Sequence, residues 1–176
     1  YTIEIKKKSV ESTLKKALGK EIKVSETLKM DNPYNYRNKL QYPIGVNEKG
    51  EPVMGVYAER THKIIPTKEC KIQDELSQKI ASSIYEWICE NKIKVYNEVK
   101  LEGSIRHIVI RIGKKTNEVM VTLVTNTKKI EKENELVEYL ISKYPEIKTI
   151  VKNINSKNTN VILGSENEIL FGKGYI

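Results

Sequence analysis

The sequence predicts an α+β fold: a mainly antiparallel sheet with two amphipathic helices on one face, plus an N-terminal helix. Three observations carry this expectation. Residues 38–45 and 52–58, and again 105–112 and 119–125, are alternating segments joined by short polar turns, which read as antiparallel hairpins. Residues 72–88 and 133–143 repeat apolar side chains every three or four positions, the spacing of a half-buried helix. The order after the first helix is ββ, α, ββ, α, β and short strands, and hairpins covered by intervening helices build an α+β layer.

Each element has its own local reason. Ile3, Val10, Leu14, Ala17 and Leu18 lie at roughly helical spacing among lysines, and Gly19 ends that helix. Ile22 and Val24 alternate with Lys23 as a short strand, so 1–26 reads as an N-terminal helix with a short strand and 27–176 as a central α+β domain. Asp31-Asn32-Pro33 is a loop signal. Asn38 to Gly45 then reads as a strand, Asn47-Glu48-Lys49-Gly50 as its turn and Pro52 to Ala58 as the returning strand. Arg60 to Lys71 has no period and is expected to be an irregular basic loop. From Ile72, the residues Leu76, Ile80, Ile84, Trp87 and Ile88 mark a long helix. Ile105 to Ile112 and Val119 to Thr125 form the second hairpin about Lys114-Lys115-Thr116-Asn117. Leu136, Val137, Leu140 and Ile141 give the last helix its apolar side, and Pro145 closes it. Ile147 to Ile154 is a strand, and Val161 to Leu163 and Ile169 to Phe171 are expected as two short ones.

The chain has 176 residues, the size of one ordinary domain, with 31 Lys and Arg against 23 Asp and Glu and a net charge of +8. That balance favours a polyanionic partner such as nucleic acid. Ten Tyr against one Phe and one Trp put rings with polar tips near the surface, where they stack on bases or pack amphipathically. Cys70 and Cys89 alone make neither a disulfide framework nor a four-ligand metal site, and a reducing, cytoplasmic setting is expected. No apolar run approaches the ~20 residues of a membrane span, so no membrane partner is expected. No glycine pattern matches a dinucleotide or phosphate loop, which excludes a nucleotide or S-adenosylmethionine fold within these residues. The chain begins at Tyr1 and stops at Gly172-Lys173-Gly174-Tyr175-Ile176, a turn that leads nowhere, and reads as a piece of a longer protein.

The candidate binding residues are cationic and aromatic. Tyr34-Asn35-Tyr36-Arg37-Asn38-Lys39 interleaves the side-chain types that hold phosphates and stack on splayed RNA bases, with Tyr36, Arg37 and Lys39 the contacts of interest. Composition alone leaves two readings open, RNA contact or a polar loop feeding an exposed strand edge. Arg106, His107 and Arg111 form a second basic set. Strand alternation puts His107 and Arg111 on one face and Arg106 on the other, so the three are not expected to share a ligand. The lysines of the first helix read as a solvated face or as RNA contacts. His62 has no acidic partner nearby in sequence that would make it a base. Cys89 reads as a small apolar filler, and Cys70 as structural or, among cationic neighbours, as reactive.

Longer strings carry a family resemblance. Pro33-Tyr34-Asn35-Tyr36-Arg37-Asn38-Lys39, Met54-Gly55-Val56-Tyr57 and Thr61-His62-Lys63-Ile64-Ile65 followed by Cys70 come first. Gly103-Ser104-Ile105-Arg106-His107-Ile108-Val109-Ile110-Arg111, Glu118 to Asn126, Ile150-Val151-Lys152-Asn153-Ile154-Asn155 and Asn158 to Gly164 follow in order. Together they resemble the central region of the bacterial RNA (uracil-5-)-methyltransferases over nearly the whole chain. The resemblance implies a parent enzyme with an RNA-binding domain before this region and a Rossmann-like domain after it. That enzyme moves a methyl group from S-adenosylmethionine to carbon 5 of a uracil in rRNA or tRNA, with a cysteine nucleophile and a carboxylate base. By that resemblance the cofactor site and all catalytic residues lie outside this chain. It also implies that Arg37 and Lys39 contact RNA, with rRNA favoured over tRNA, and that the first helix packs on the missing catalytic domain. Many members hold a [4Fe–4S] cluster, and Cys70 occupies the position of its fourth ligand, the other three lying upstream.

The expected function is therefore RNA recognition within a methyltransferase, by a chain inactive on its own. A stand-alone RNA-binding module and a non-catalytic scaffold are the alternatives.

Overall fold

A computed structural model describes residues 2–176, which divide into two units, residues 2–33 and 34–176. In the first, α1 (Thr2–Leu18) ends at Gly19, whose left-handed φ of +67° lets its N–H return to the Lys15 carbonyl at 3.0 Å. The segment after it turns back along the helix, held by Lys7–Glu26 and Lys15–Glu21 ion pairs of 2.7 Å each. No side chain of α1 is buried. The strand expected at Ile22 and Val24 does not form: both lie outside regular structure, because a single extended segment has no neighbour to bond its N–H and C=O groups.

The second unit is a seven-stranded sheet in the order β3-β2-β1-β4-β5-β6-β7. Its elements are β1 (Lys39–Val46), β2 (Pro52–Tyr57), β3 (Ile64–Pro66), α2 (Glu75–Glu90), β4 (Ile105–Ile112), β5 (Val119–Thr125), α3 (Glu133–Lys143), β6 (Ile147–Ile154) and β7 (Glu166–Gly172). Every neighbouring pair is antiparallel except β5 and β6, which α3 joins as a crossover. Both helices cover one face. Leu40, Tyr42 and Ile44 of β1, Ile108 and Ile110 of β4 and Leu123 of β5 point into a core closed by Ile80, Ile84, Trp87 and Ile88 of α2 and by Leu136 and Leu140 of α3. Among the described residues, no helix is long and apolar enough to cross a membrane.

Three parts differ from the expectation. The irregular loop contains β3, which pairs Gly55 with Pro66 and Tyr57 with Ile64; three residues ending in proline carry no period. α2 begins at Glu75 rather than Ile72, because Asp74 caps it by accepting from the N–H groups of Leu76 at 2.9 Å and Ser77 at 3.3 Å. The two short strands expected near the end are one, β7. Residues 161–163 instead form a loop whose carbonyls are taken up by a side chain: Asn155 Nδ2 donates to Val161 O at 2.7 Å and Ile162 O at 2.9 Å.

Candidate functional site

The residues singled out in the sequence fall in three places. At the first, Asn35 and Arg37 donate their backbone N–H groups to Lys71 O at 2.8 Å and Ile72 O at 3.0 Å, fixing Tyr34–Arg37 beside the segment that leads into α2. Tyr36 and Arg37 are exposed there. Lys39 is directly opposite Arg111 in the β1–β4 register. Their neighbours Leu40 and Ile110 face the helices, so Lys39 and Arg111 project from the helix-free face, half-buried and exposed respectively. Arg37, Lys39 and Arg111 thus bring three cations to one end of β1.

His107 lies on the same face as Arg111, as alternation predicts, opposite Pro43 and about 13 Å along the strand. Arg106 does not behave as alternation predicts. The β4–β5 register slips between Ile105 and His107, a bulge that leaves Arg106 as the extra residue and sends its side chain into the same cavity as His107. Both are buried, so neither is open to solvent as Arg111 is.

That cavity is the second place. It encloses about 670 Å³ between the β1–β2 turn, the loop before β3, the segment 96–99 and the start of β4. Arg106 lies over the Tyr96 ring, 4.4 Å from its centroid, and Nη1 donates to the carbonyls of Asn155 and Lys157, the latter at 2.9 Å. His107 Nε2 is 3.5 Å from the Tyr57 hydroxyl. Burial, and then the neighbouring Arg106 charge, push the His107 pKa down to about 4, so its ring is neutral at pH 7. Burial raises the Tyr57 phenol, helped by the Glu98 charge and opposed by Arg106. His62 does have an acidic partner: its Nδ1 is 2.6 Å from Glu98 Oε1, 36 residues away. Nothing in local spacing signals that pair, since both residues are in loops joined only by the fold. The chain's two histidines therefore meet in one cavity, with Tyr57 between them.

The third place is a cleft of about 620 Å³ on α2 that holds Cys70, half-buried and free. Gln78 fixes the Cys70 backbone from both sides, accepting from its N–H at 2.6 Å and donating to its carbonyl at 3.2 Å. Cys89 is exposed rather than an apolar filler, because it lies one position beyond the buried stripe Ile84, Trp87 and Ile88. Among the described residues, no three His, Cys, Asp or Glu side chains are grouped to hold a metal. One thiol does not fit a [4Fe–4S] cluster, which needs four such ligands.

With this fold and these basic surfaces, the class of protein the chain is similar to is the RNA methyltransferases. It is 41% identical over 174 residues to an uncharacterized RNA methyltransferase of Clostridium tetani, and 42% identical over 178 residues to one of Clostridium acetobutylicum. Each match covers 99% of this chain and 38% of the relative, so the chain spans well under half the length of these proteins. Among solved structures, tRNA (uracil-54, C5)-methyltransferase of Pyrococcus abyssi, in complex with S-adenosyl-L-homocysteine, matches with a TM-score of 0.70 and 27% identity, over 99% of this chain and 39% of that one. No protein-family model matches the chain.

Proposed function

We propose that these residues are the central, RNA-recognising region of an S-adenosylmethionine-dependent RNA (uracil-C5)-methyltransferase, whose cofactor-binding and catalytic domain lies outside them. The observation that carries this reading is similarity to RNA methyltransferases along 99% of the chain, together with the solved uracil-C5 enzyme that shares its fold. The region's task is to hold RNA while the chemistry proceeds elsewhere, in the cytoplasm. Arg37, Lys39 and Arg111 supply phosphate contacts and Tyr36 a stacking surface, while Arg106 and His107 are reached through the cavity. α1, which buries none of its side chains and leaves Ile3, Ile5, Val10 and Leu18 exposed, packs on the catalytic domain. Cys70 joins a cluster only with three thiolates from elsewhere in the protein, and no step of this reading passes through one.

The test is charge reversal in the complete protein. Arg37→Glu, Lys39→Glu and Arg111→Glu together should weaken RNA binding at least tenfold and lower the slope of log affinity against log salt by about 2 to 3. Unchanged affinity and slope would leave a scaffold role in place of recognition. Mapping 5-methyluridine in RNA from cells with and without the gene assigns the substrate: rRNA is put first, and loss of the mark from tRNA alone would reverse that order.

A further inference from the structure

The cavity between the β1–β2 turn and the start of β4 is lined by two buried side chains that each keep one polar atom unpaired. Arg106 and His107 are each 6% exposed, and Arg106 Nε and His107 Nδ1 have no hydrogen-bond partner. Buried polar atoms in folded proteins are almost always paired, and these two are also shut off from solvent, so a ligand in the cavity pairs with them only by parting the side chains that cover them. The rest of the guanidinium is already committed to the Asn155 and Lys157 carbonyls and the Tyr96 ring. What Arg106 still offers is a single covered N–H, which on ligand entry would take an acceptor such as a carbonyl oxygen. The neutral His107 ring has one nitrogen that donates and one that accepts.

The charge of the wall narrows the ligand further. Lys49, Lys63 and Arg106 are matched by Glu48, Glu51 and Glu98, so the lining is formally neutral apart from its histidines. A phosphate inside would face three carboxylates, whereas an uncharged polar ring would not. Aromatic groups are in place for such a ring: Tyr57 lies 5.5 Å from His62 at a tilt of 31° and 6.3 Å edge-on from His107. A cavity of about 670 Å³ has room for a nucleotide.

We propose that this cavity receives one unstacked nucleobase of the bound RNA, other than the base that is modified, with a base carbonyl accepting from Arg106 Nε–H and the ring against Tyr57 and His62. This rests on the reading of RNA recognition given above. His62 and His107 are the only histidines of this chain, and in the complete protein their imidazole signals in nitrogen–proton NMR spectra are assigned by the loss of one signal each in His62→Ala and His107→Gln. Titrating the complete protein with single-stranded RNA twelve-mers should shift both imidazoles, and one abasic position in a bound twelve-mer should abolish the shift. His62→Ala alters an exposed side chain and should leave the melting temperature unchanged; Tyr57→Ala also removes the hydroxyl beside His107, so its fold is checked by circular dichroism. Each should weaken binding about 5- to 100-fold without altering the salt slope, the mark of lost stacking rather than lost charge. RNA binding that leaves both imidazole signals unmoved and is indifferent to these variants would overturn the nucleobase pocket while sparing RNA recognition. A wild-type protein that binds no RNA would overturn both.

Discussion

His107 is a base kept from its proton by its surroundings. Its pKa is about 4 in the folded protein against an ordinary 6.5, so between those values the unfolded chain binds the proton and the folded one does not. The stability that depends on neutral His107 is therefore complete above about pH 6.5 and is lost as pH falls towards 4. The shift corresponds to about 3 kcal/mol at most. Urea unfolding of wild type and His107→Gln at pH 7.5 and pH 4.5 should show a smaller loss on acidification in the variant, by roughly that amount; equal losses would mean that the ring is not held neutral. Lys152 is a contrasting case. It too is buried, and burial opposes its charge, but the hydrogen bonds that it donates to Glu133 and Glu168 outweigh that cost and raise its pKa. The same desolvation thus leaves one group uncharged and another charged, and the nearby carboxylates decide which.

At the scale of elements, β3 depends on one glycine. A Cβ at Gly55 would stand 1.9 Å from the Ile65 carbonyl oxygen, so Gly55→Ala must push β3 off the edge of β2. We expect a loss of about 1–3 kcal/mol in denaturant unfolding, with displacement of His62 from its partner Glu98. The long helices and the two hairpins were legible in the sequence because periodicity and turn chemistry extend over many residues. β3 was not, being three residues long, and neither was the bulge at Arg106, since alternation is assumed until a register slips. The basic residues of the first surface were legible as residue types, and Lys39 and Arg111 become a pair only through the β1–β4 register. The His62–Glu98 pair was illegible for the same reason: loops far apart in sequence are brought together by strands between them. The loop before β7 shows side chains replacing strand pairing. Asn153 donates to the Gly164 carbonyl at 3.0 Å and accepts from the Gly164 N–H at 2.7 Å, bonds that two short strands were expected to provide.

For the molecule as a whole, the main fact is that the two units are built differently. Residues 34–176 hold a core that runs through six of the seven strands and both helices, whereas α1 is stabilised by its own backbone bonds and the ion pairs of the segment after it. A 17-residue helix without a buried face is marginal in water. The single tryptophan, Trp87, is in α2 and 7% exposed, so its emission reports on the larger unit. Far-ultraviolet circular dichroism counts every helix. A thermal scan of this chain should therefore show dichroism beginning to fall at a lower temperature than the Trp87 emission changes, and coincident curves would mean that the units unfold as one. The exposed helix then has a practical consequence: a protease should nick the chain within residues 2–33 before it touches the sheet, trimming it to a smaller product that keeps its fluorescence.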